Sequence, residues 1–208
     1  MHRSIIGRVL LVGAWMLTGT VVWGQQATST TSGKRVSIDL AATYASEQAQ
    51  KSPGGCCFWL QGGGLDAVAT LRSGWGIAAA INGEHASNVM PSVDLNTISF
   101  LAGPRYTYTT RISHAGTQKQ RDLQVYGEWL LGSAHGYNGM IPTTSGIQTS
   151  DNVFAFQVGG GFNLTLSKHF GLRLLQVDYV RTTFPNETTN TQDDLSLASG
   201  VSYHFGKR

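Results

Sequence analysis

The chain has 208 residues, of which 13% are charged and 26 are glycine. The charged fraction is about half that of an average globular protein, while 41% apolar and 10% aromatic residues exclude a disordered chain. Once Arg3 and Arg8 are set aside with the N-terminal leader, 13 Lys and Arg remain against 12 Asp and Glu. This balance provides no basic surface for nucleic acid.

The N-terminal segment predicts a secretory signal peptide over residues 1–24. Two arginines precede the uncharged stretch Val9–Trp23, and Gly24 supplies a small residue at the expected cleavage site. A membrane-anchor helix is the alternative, but it needs about 20 apolar residues, more than this stretch offers. The polar segment 25–34 predicts a flexible leader, and residues 206–208 a short C-terminal extension.

Between residues 35 and 205, apolar side chains alternate with polar or small ones in eight successive runs. The alternation slips once, because Arg173 and Gln176 stand three apart, which predicts a β-bulge at Leu174–Leu175. Unpaired backbone groups are costly in lipid, so strands can cross a membrane only as a closed barrel. The runs therefore predict an all-β fold, an eight-stranded antiparallel up-and-down transmembrane β-barrel.

The connections predict which end of the barrel faces outward. Tight turns are expected around Arg72–Ser73 and Ser167–His169, with a longer link at Thr110–Arg121 at the same end. Long loops are expected at the other end, which faces the cell exterior in outer-membrane barrels. The predicted long loops are Glu47–Cys57, His85–Asn96, Gly136–Asp151 and Pro185–Asp193.

The aromatic residues favour a membrane barrel over a soluble, lipocalin-like barrel, whose apolar parity would face inward around a ligand. They predict two girdles at the headgroup levels. The turn-end girdle comprises Trp75, Tyr106, Tyr108, Phe170, Tyr203 and Phe205. The loop-end girdle comprises Tyr44, Phe58, Trp59, Phe154, Phe156 and Phe184.

Six polar residues share the parity that faces the lumen. We expect them to form a structural ion network, because a barrel of eight strands is just wide enough for side chains to fill and buried charges need partners. In this hypothesis Arg105 or Arg173 pairs with Glu128 or Asp178. The alternative is that the same charges form a gate or a narrow ion path. The six residues are Asp39, Arg105, Glu128, Arg173, Gln176 and Asp178.

The remaining reactive residues predict no cofactor and no metal site, because the histidines are scattered without ligand spacing. Cys56 and Cys57 are adjacent in the first long loop, so a vicinal disulfide and two free thiols are both open, with the disulfide preferred. Ser133 and His135 share the lipid-facing parity and resemble the Ser and His of lipid A deacylase barrels. In this chain the order of the Ser and the His along the strand is reversed, and no carboxylate on the same strand faces them. An enzyme is therefore the last of the three functions we consider.

The segments AFQVGGGFNLTLSKHFGLRLLQVDYVRTTF and QDDLSLASGVSYHFGKR resemble the OmpA-like outer-membrane β-barrel domain. They are most similar to the small outer-membrane barrels of Acidobacteria. The resemblance implies an integral outer-membrane protein that meets periplasmic chaperones and the barrel-insertion machinery, and it implies no activity. Tyr203 and Phe205 resemble the aromatics of the C-terminal insertion signal, although three residues follow Phe205 here.

Together these observations predict a monomer in the cell outer membrane, with a filled lumen and a structural or surface-interaction role. Its expected partners are membrane lipid, the assembly factors and an extracellular ligand held by the loops. A narrow pore is the second hypothesis, and a lipid A-modifying enzyme is the third.

Overall fold

A computed structural model describes residues 36–49, 58–71, 73–90, 93–112, 121–143, 146–185 and 190–205. All of the described ranges belong to one compact unit, residues 34–208. The predicted signal peptide (1–24), the leader (25–34), the extension (206–208) and the pair Cys56 and Cys57 lie outside them.

Eight antiparallel strands close into a barrel in chain order, with the first strand hydrogen-bonded to the last. The prediction of an all-β, eight-stranded antiparallel barrel is therefore confirmed. Among the described residues, no helix is long and apolar enough to cross a membrane. The strands are β1 (Ser37–Ala49), β2 (Phe58–Thr70), β3 (Trp75–Met90), β4 (Val93–Ile112), β5 (Arg121–Thr143), β6 (Gly146–Thr165), β7 (Phe170–Thr182) and β8 (Gln192–Phe205).

The distribution of side chains is inverted relative to a soluble protein. Large apolar residues such as Leu65 and Ile77 are exposed on the outer surface, whereas charged residues such as Arg105 and Glu128 are buried inside. Period-two alternation produces this pattern, because successive residues of a strand point to opposite faces of the sheet. A soluble barrel would bury the apolar parity instead.

The predicted bulge in β7 is confirmed. Across β6, Leu175 pairs with Phe162 and Arg173 pairs with Asn163, so Leu174 is the extra residue. Both leucines of the bulge are exposed on the outer surface, while Arg173 and Gln176 on either side are both buried. The bulge thus returns two polar residues to the lumen, which strict alternation would have separated.

Two of the predicted long loops are wrong. Most of His85–Asn96 is paired strand in β3 and β4, and most of Gly136–Asp151 is paired strand in β5 and β6. The Gly, Ser, Thr and Asn content of these segments indicated loops. A hairpin that extends past the membrane has no lipid face, however, so it needs no apolar alternation to form its ladder.

Two aromatics were assigned wrongly to the loop-end girdle. Phe184 lies beyond the end of β7 and is buried in a core cluster with Leu130 and Ile141. Phe58 is partly buried against an inner cluster, since its strand neighbour Trp59 occupies the outer face. In a regular stretch of strand, without a bulge, adjacent residues point to opposite faces of the sheet.

Candidate functional site in the barrel lumen

The first component of the lumen site is a buried ion pair between neighbouring strands. Arg105 of β4 stands directly opposite Glu128 of β5, and its Nε donates to Glu128 Oε2 at 2.7 Å. Both side chains are almost fully shielded from solvent. The pairing offsets part of the cost of removing both charges from water, although Arg105 Nη2 is buried without a hydrogen-bond partner in the described chain.

The second component crosses the barrel. Arg173 of β7 forms an ion pair with Asp66 of β2, a strand that is not its neighbour. Its Nε also donates to Asn163 Oδ1 at 3.3 Å. The pair therefore links opposite sides of the wall through the lumen.

Gln176 connects the two ion pairs. Its side-chain oxygen accepts hydrogen bonds from Arg173 Nη1 at 2.6 Å and from the Tyr126 hydroxyl at 2.9 Å. Its amide nitrogen donates to Glu128 Oε1 at 3.2 Å and to Asp178 Oδ2 at 2.7 Å. An amide suits this position because it offers donors and acceptors to both kinds of charge.

An aromatic ring lies beside both arginines. The Tyr126 ring centroid is 4.2 Å from the guanidinium carbon of Arg105 and 5.2 Å from that of Arg173. The ring quadrupole attracts cations, and this attraction strengthens when water is excluded. The flat ring and the two guanidinium groups thus fill the cross-section of the lumen as one layer.

This layer, which we call the plug, consists of Asp66, Arg105, Tyr126, Glu128, Arg173, Gln176 and Asp178. It separates two cavities. The outer cavity, of about 50 Å³, is lined on the plug side by Asp66, Gln176 and Asp178. The inner cavity, of about 10 Å³, is lined there by Arg105 and Arg173. The smaller volume is about that of one water probe, so the inner lumen is nearly filled.

Asp39 does not join the plug. Its Oδ1 is in hydrogen-bonding contact with Nδ1 of His204 of β8, directly opposite it near the turn end of the barrel. His204 Nε2 and Ser202 Oγ are buried without a hydrogen-bond partner in the described chain. Both lie against Gly171, where an added Cβ would be 3.1 and 2.7 Å from these two atoms. The six predicted lumen residues therefore occupy two sites, five in the plug and one at the turn end.

The plug contains two members that sequence reasoning missed. Asp66 lies in the stretch Leu65–Val68, where apolar residues occur on both parities and hide the alternation. The available signal was its charge, because an isolated carboxylate within a membrane strand must face the lumen. Tyr126 shares the inward parity of Glu128, two residues further along β5, but nothing in the sequence indicates that its ring contacts two arginines.

The remaining predicted residues lie on the outer surface. His135 Nδ1 lies 2.9 Å from Asn152 Oδ1, so an amide stands where a deacylase would need a carboxylate. The Tyr203 ring lies 5.2 Å from that of Phe170 and 4.7 Å from that of Phe205, at the closing end of β8. No group of three His, Cys, Asp or Glu side chains in the described ranges has the spacing of a metal site.

The chain has the features of a small barrel of the outer-membrane type. Its eight strands close on themselves, its apolar side chains face outward, and its lumen holds buried ion pairs. Among solved structures, the chain is similar to Ail, the attachment invasion locus protein of Yersinia pestis, determined in complex with the heparin analogue sucrose octasulfate. The identity is 18% over 82% of this chain and 99% of that chain, with a TM-score of 0.52.

The chain is also similar to Neisserial surface protein A, with 16% identity over 82% of this chain and 97% of that chain and a TM-score of 0.50. No family model and no curated protein matches the sequence. At these identities the likeness shows the fold alone. The closer resemblance to OmpA-like and acidobacterial barrels stays a prediction.

Proposed function

We propose that the protein is an integral, monomeric outer-membrane barrel that presents a rigid surface for interaction at its outer end. The observation that carries this proposal is the outer wall, where large apolar residues of every strand are exposed while the charges lie inside. Such a surface would aggregate in water, and lipid is the environment that stabilises it. The fold shared with Ail and Neisserial surface protein A supports the same location.

The lumen supports a structural role rather than transport. The plug spans the barrel from β2 to β7, and the two cavities directly against it are small. Each of its two arginines is paired with a carboxylate, so opening a continuous path would separate ion pairs in a medium of low dielectric constant. The outer end is then the part of the molecule that is available to partners.

The β5–β6 hairpin is the interaction element we propose. Its strands pair as far as Thr143 and Gly146, whereas β6 joins β7 only from Ala155 onward. Residues 146–153 thus have no described strand on their second edge. An exposed strand edge can accept an extended segment of another protein as an added strand.

The charge of this end favours protein partners over polyanions. The carboxylates of Asp94 and Asp151 lie on the described strands near it, while Asp193 and Arg181 form an ion pair that adds no net charge. Ail was determined with a polysulfated ligand, but an acidic surface repels sulfates. We therefore do not extend that ligand to this chain.

Matched arginine substitutions test the membrane location. Leu65 and Ile147 are equally exposed, at 62% and 63%, but Leu65 lies within the proposed lipid belt and Ile147 on the protruding hairpin. We expect Leu65→Arg to destabilise the vesicle-inserted barrel by about 2–4 kcal/mol and Ile147→Arg to have little effect. Equal effects, or recovery of the wild-type protein in a soluble fraction, would contradict the proposal.

A proline substitution tests the interaction role. Thr149→Pro removes a backbone donor from the hairpin, and proline is poorly accepted in a ladder. In a host that displays the protein, we expect the wild type to raise adhesion between cells or to a protein-coated surface, and the variant to lose that gain. Equal adhesion by the two proteins, measured at equal surface abundance, would refute the hairpin as the contact.

A narrow pore is the second candidate, and the cavities on both sides of the plug favour it. Planar-bilayer recordings on refolded protein separate the two hypotheses. The plugged barrel gives no discrete current steps, whereas regular steps that change with Arg105→Gln support the pore.

A further inference from the structure

The outer cavity of the lumen has an unusual composition for a buried space. Five of the described residues that line it are carboxylates, from five different strands, and none of the described lining residues is Lys, Arg or His. Asp66 has its positive partner across the plug, in Arg173. The other four carboxylates of the lining are Glu47, Glu84, Asp178 and Asp194, of which Asp194 has a further interaction of its own.

Two of these carboxylates face each other directly. The Glu47 carboxyl lies within hydrogen-bonding reach of Glu84, and Asp194 is also adjacent to it. Glu47 is buried, so little water reaches the pair. Carboxylates this close repel one another strongly unless a positive charge or a proton lies between them.

A second observation comes from two buried polar atoms in the wall of the same cavity, one of which belongs to Thr182, a residue outside the acidic cluster. Asp178 Oδ1 and Thr182 Oγ1 have no hydrogen-bond partner in the described chain. Asp178 is 3% and Thr182 is 8% exposed. Buried polar atoms without a hydrogen-bond partner are rare in native proteins and indicate a missing partner.

The strand register places these atoms around one region. Asp194 pairs with Val180, midway between Asp178 and Thr182 along β7. Glu47 pairs with Ser196, which also stands opposite Asp178. Asp178 and Thr182 therefore stand on either side of the position opposite Asp194, and each group in the set can accept a hydrogen bond.

We propose that the outer cavity is a binding site for a primary ammonium group. Such a group carries one positive charge and three N–H donors, which matches a set of separated acceptors. A bare metal ion fits less well, because no three acidic, Cys or His side chains of the described ranges converge at metal-ligand spacing. The volume of about 50 Å³ exceeds that of a single water and suits a small amine or the end of a lysine side chain.

The test uses the full mature protein refolded in dodecyl maltoside, whose head group carries no cation. Titration calorimetry with methylammonium should show saturable binding, and tetramethylammonium, which has the charge but no N–H donor, should bind at least about tenfold more weakly. Nα-acetyl-lysine amide is the third ligand, and it carries the ammonium group on a lysine side chain. Comparison with methylammonium distinguishes a site for a small free amine from a site for a lysine side chain. The measurement needs no membrane, so its outcome is separate from that of the location test above.

Two variants and a control locate the site. We expect Glu47→Gln and Asp178→Asn each to weaken methylammonium binding by at least about tenfold, while Asp94→Asn, an exposed carboxylate at the same end, changes it little. A heat-modifiable gel shift identifies folded samples. If Glu47→Gln fails to fold, Asp178→Asn, which preserves the shape of its side chain, still tests the site. Absence of binding to the wild type, equal binding of the two ammonium ions, or an equal loss in Asp94→Asn would overturn the proposal.

Discussion

Replacement of Arg173 by Met is the most informative perturbation of the plug. The Arg173 side chain is 2% exposed and forms an ion pair with Asp66. Met resembles the aliphatic stem of Arg and has no charge, so it removes the partner of Asp66 while filling the space of the stem. Asp66 would then remain buried without its counter-charge, close to the other carboxylates of the plug.

The expected loss follows from that uncompensated charge. Removing one member of a buried ion pair typically costs about 3–5 kcal/mol, because the remaining ion cannot recover its hydration. We expect the free energy of unfolding to fall by this amount. Urea titration of the barrel in lipid vesicles, followed by tryptophan fluorescence, measures the loss, and an unchanged m-value indicates that the transition is still two-state.

Two further variants show whether the charge is responsible. The double variant Arg173→Met with Asp66→Asn should be more stable than Arg173→Met alone, because it leaves no isolated ion. Arg181 lies on β7 like Arg173, but its ion pair with Asp193 of β8 is exposed. Arg181→Met should therefore have little effect on stability. The reasoning is refuted if Arg173→Met costs under about 1 kcal/mol, or if the double variant is less stable than the single one.

Three other substitutions test separate parts of the fold. Tyr126→Phe removes the hydroxyl that donates to Gln176 at 2.9 Å and should cost about 1 kcal/mol in the same urea assay, so an unchanged midpoint would argue against this contact. Gly161→Ala would place a Cβ 2.8 Å from the Tyr126 hydroxyl and should destabilise the barrel by about 1–3 kcal/mol. Gly83→Ala meets no atom within 4 Å and should destabilise the barrel less. A greater loss of stability in Gly83→Ala than in Gly161→Ala would contradict the packing. Phe205→Ala should reduce insertion in cells while leaving refolding into micelles intact, and normal insertion would show that the assembly signal lies elsewhere.

The sequence predicted the barrel well because its strands carry a physical constraint that is visible in one dimension. A membrane strand must alternate, so even the irregularity at Leu174–Leu175 was detectable from the spacing of Arg173 and Gln176. The hairpin extensions were missed because this constraint ends where lipid ends. Beyond the membrane a paired strand and a loop can have the same composition.

The plug was only partly predictable for a different reason. Parity assigns Arg105 and Glu128 to the lumen, and their direct pairing follows once the register is known. The contact between Arg173 and Asp66 depends instead on the curvature of the closed barrel, which brings two strands that are not neighbours together. The carboxylates Glu47 and Glu84 were missed because they lie where strands were expected to give way to loops.

The connectivity of the plug suggests why this lumen is not simply apolar. Well-packed hydrophobic residues can replace a buried ion pair without loss of stability, so stability alone does not account for the charges. Gln176 and the two arginines connect β2, β4, β5, β6 and β7 through contacts that each depend on direction. A slip of one residue in any of these strands would turn its polar group toward lipid, at a cost of several kcal/mol. We infer that the plug fixes the register of the closed barrel, and that the ammonium site above it uses the carboxylates that this arrangement leaves on the outer side.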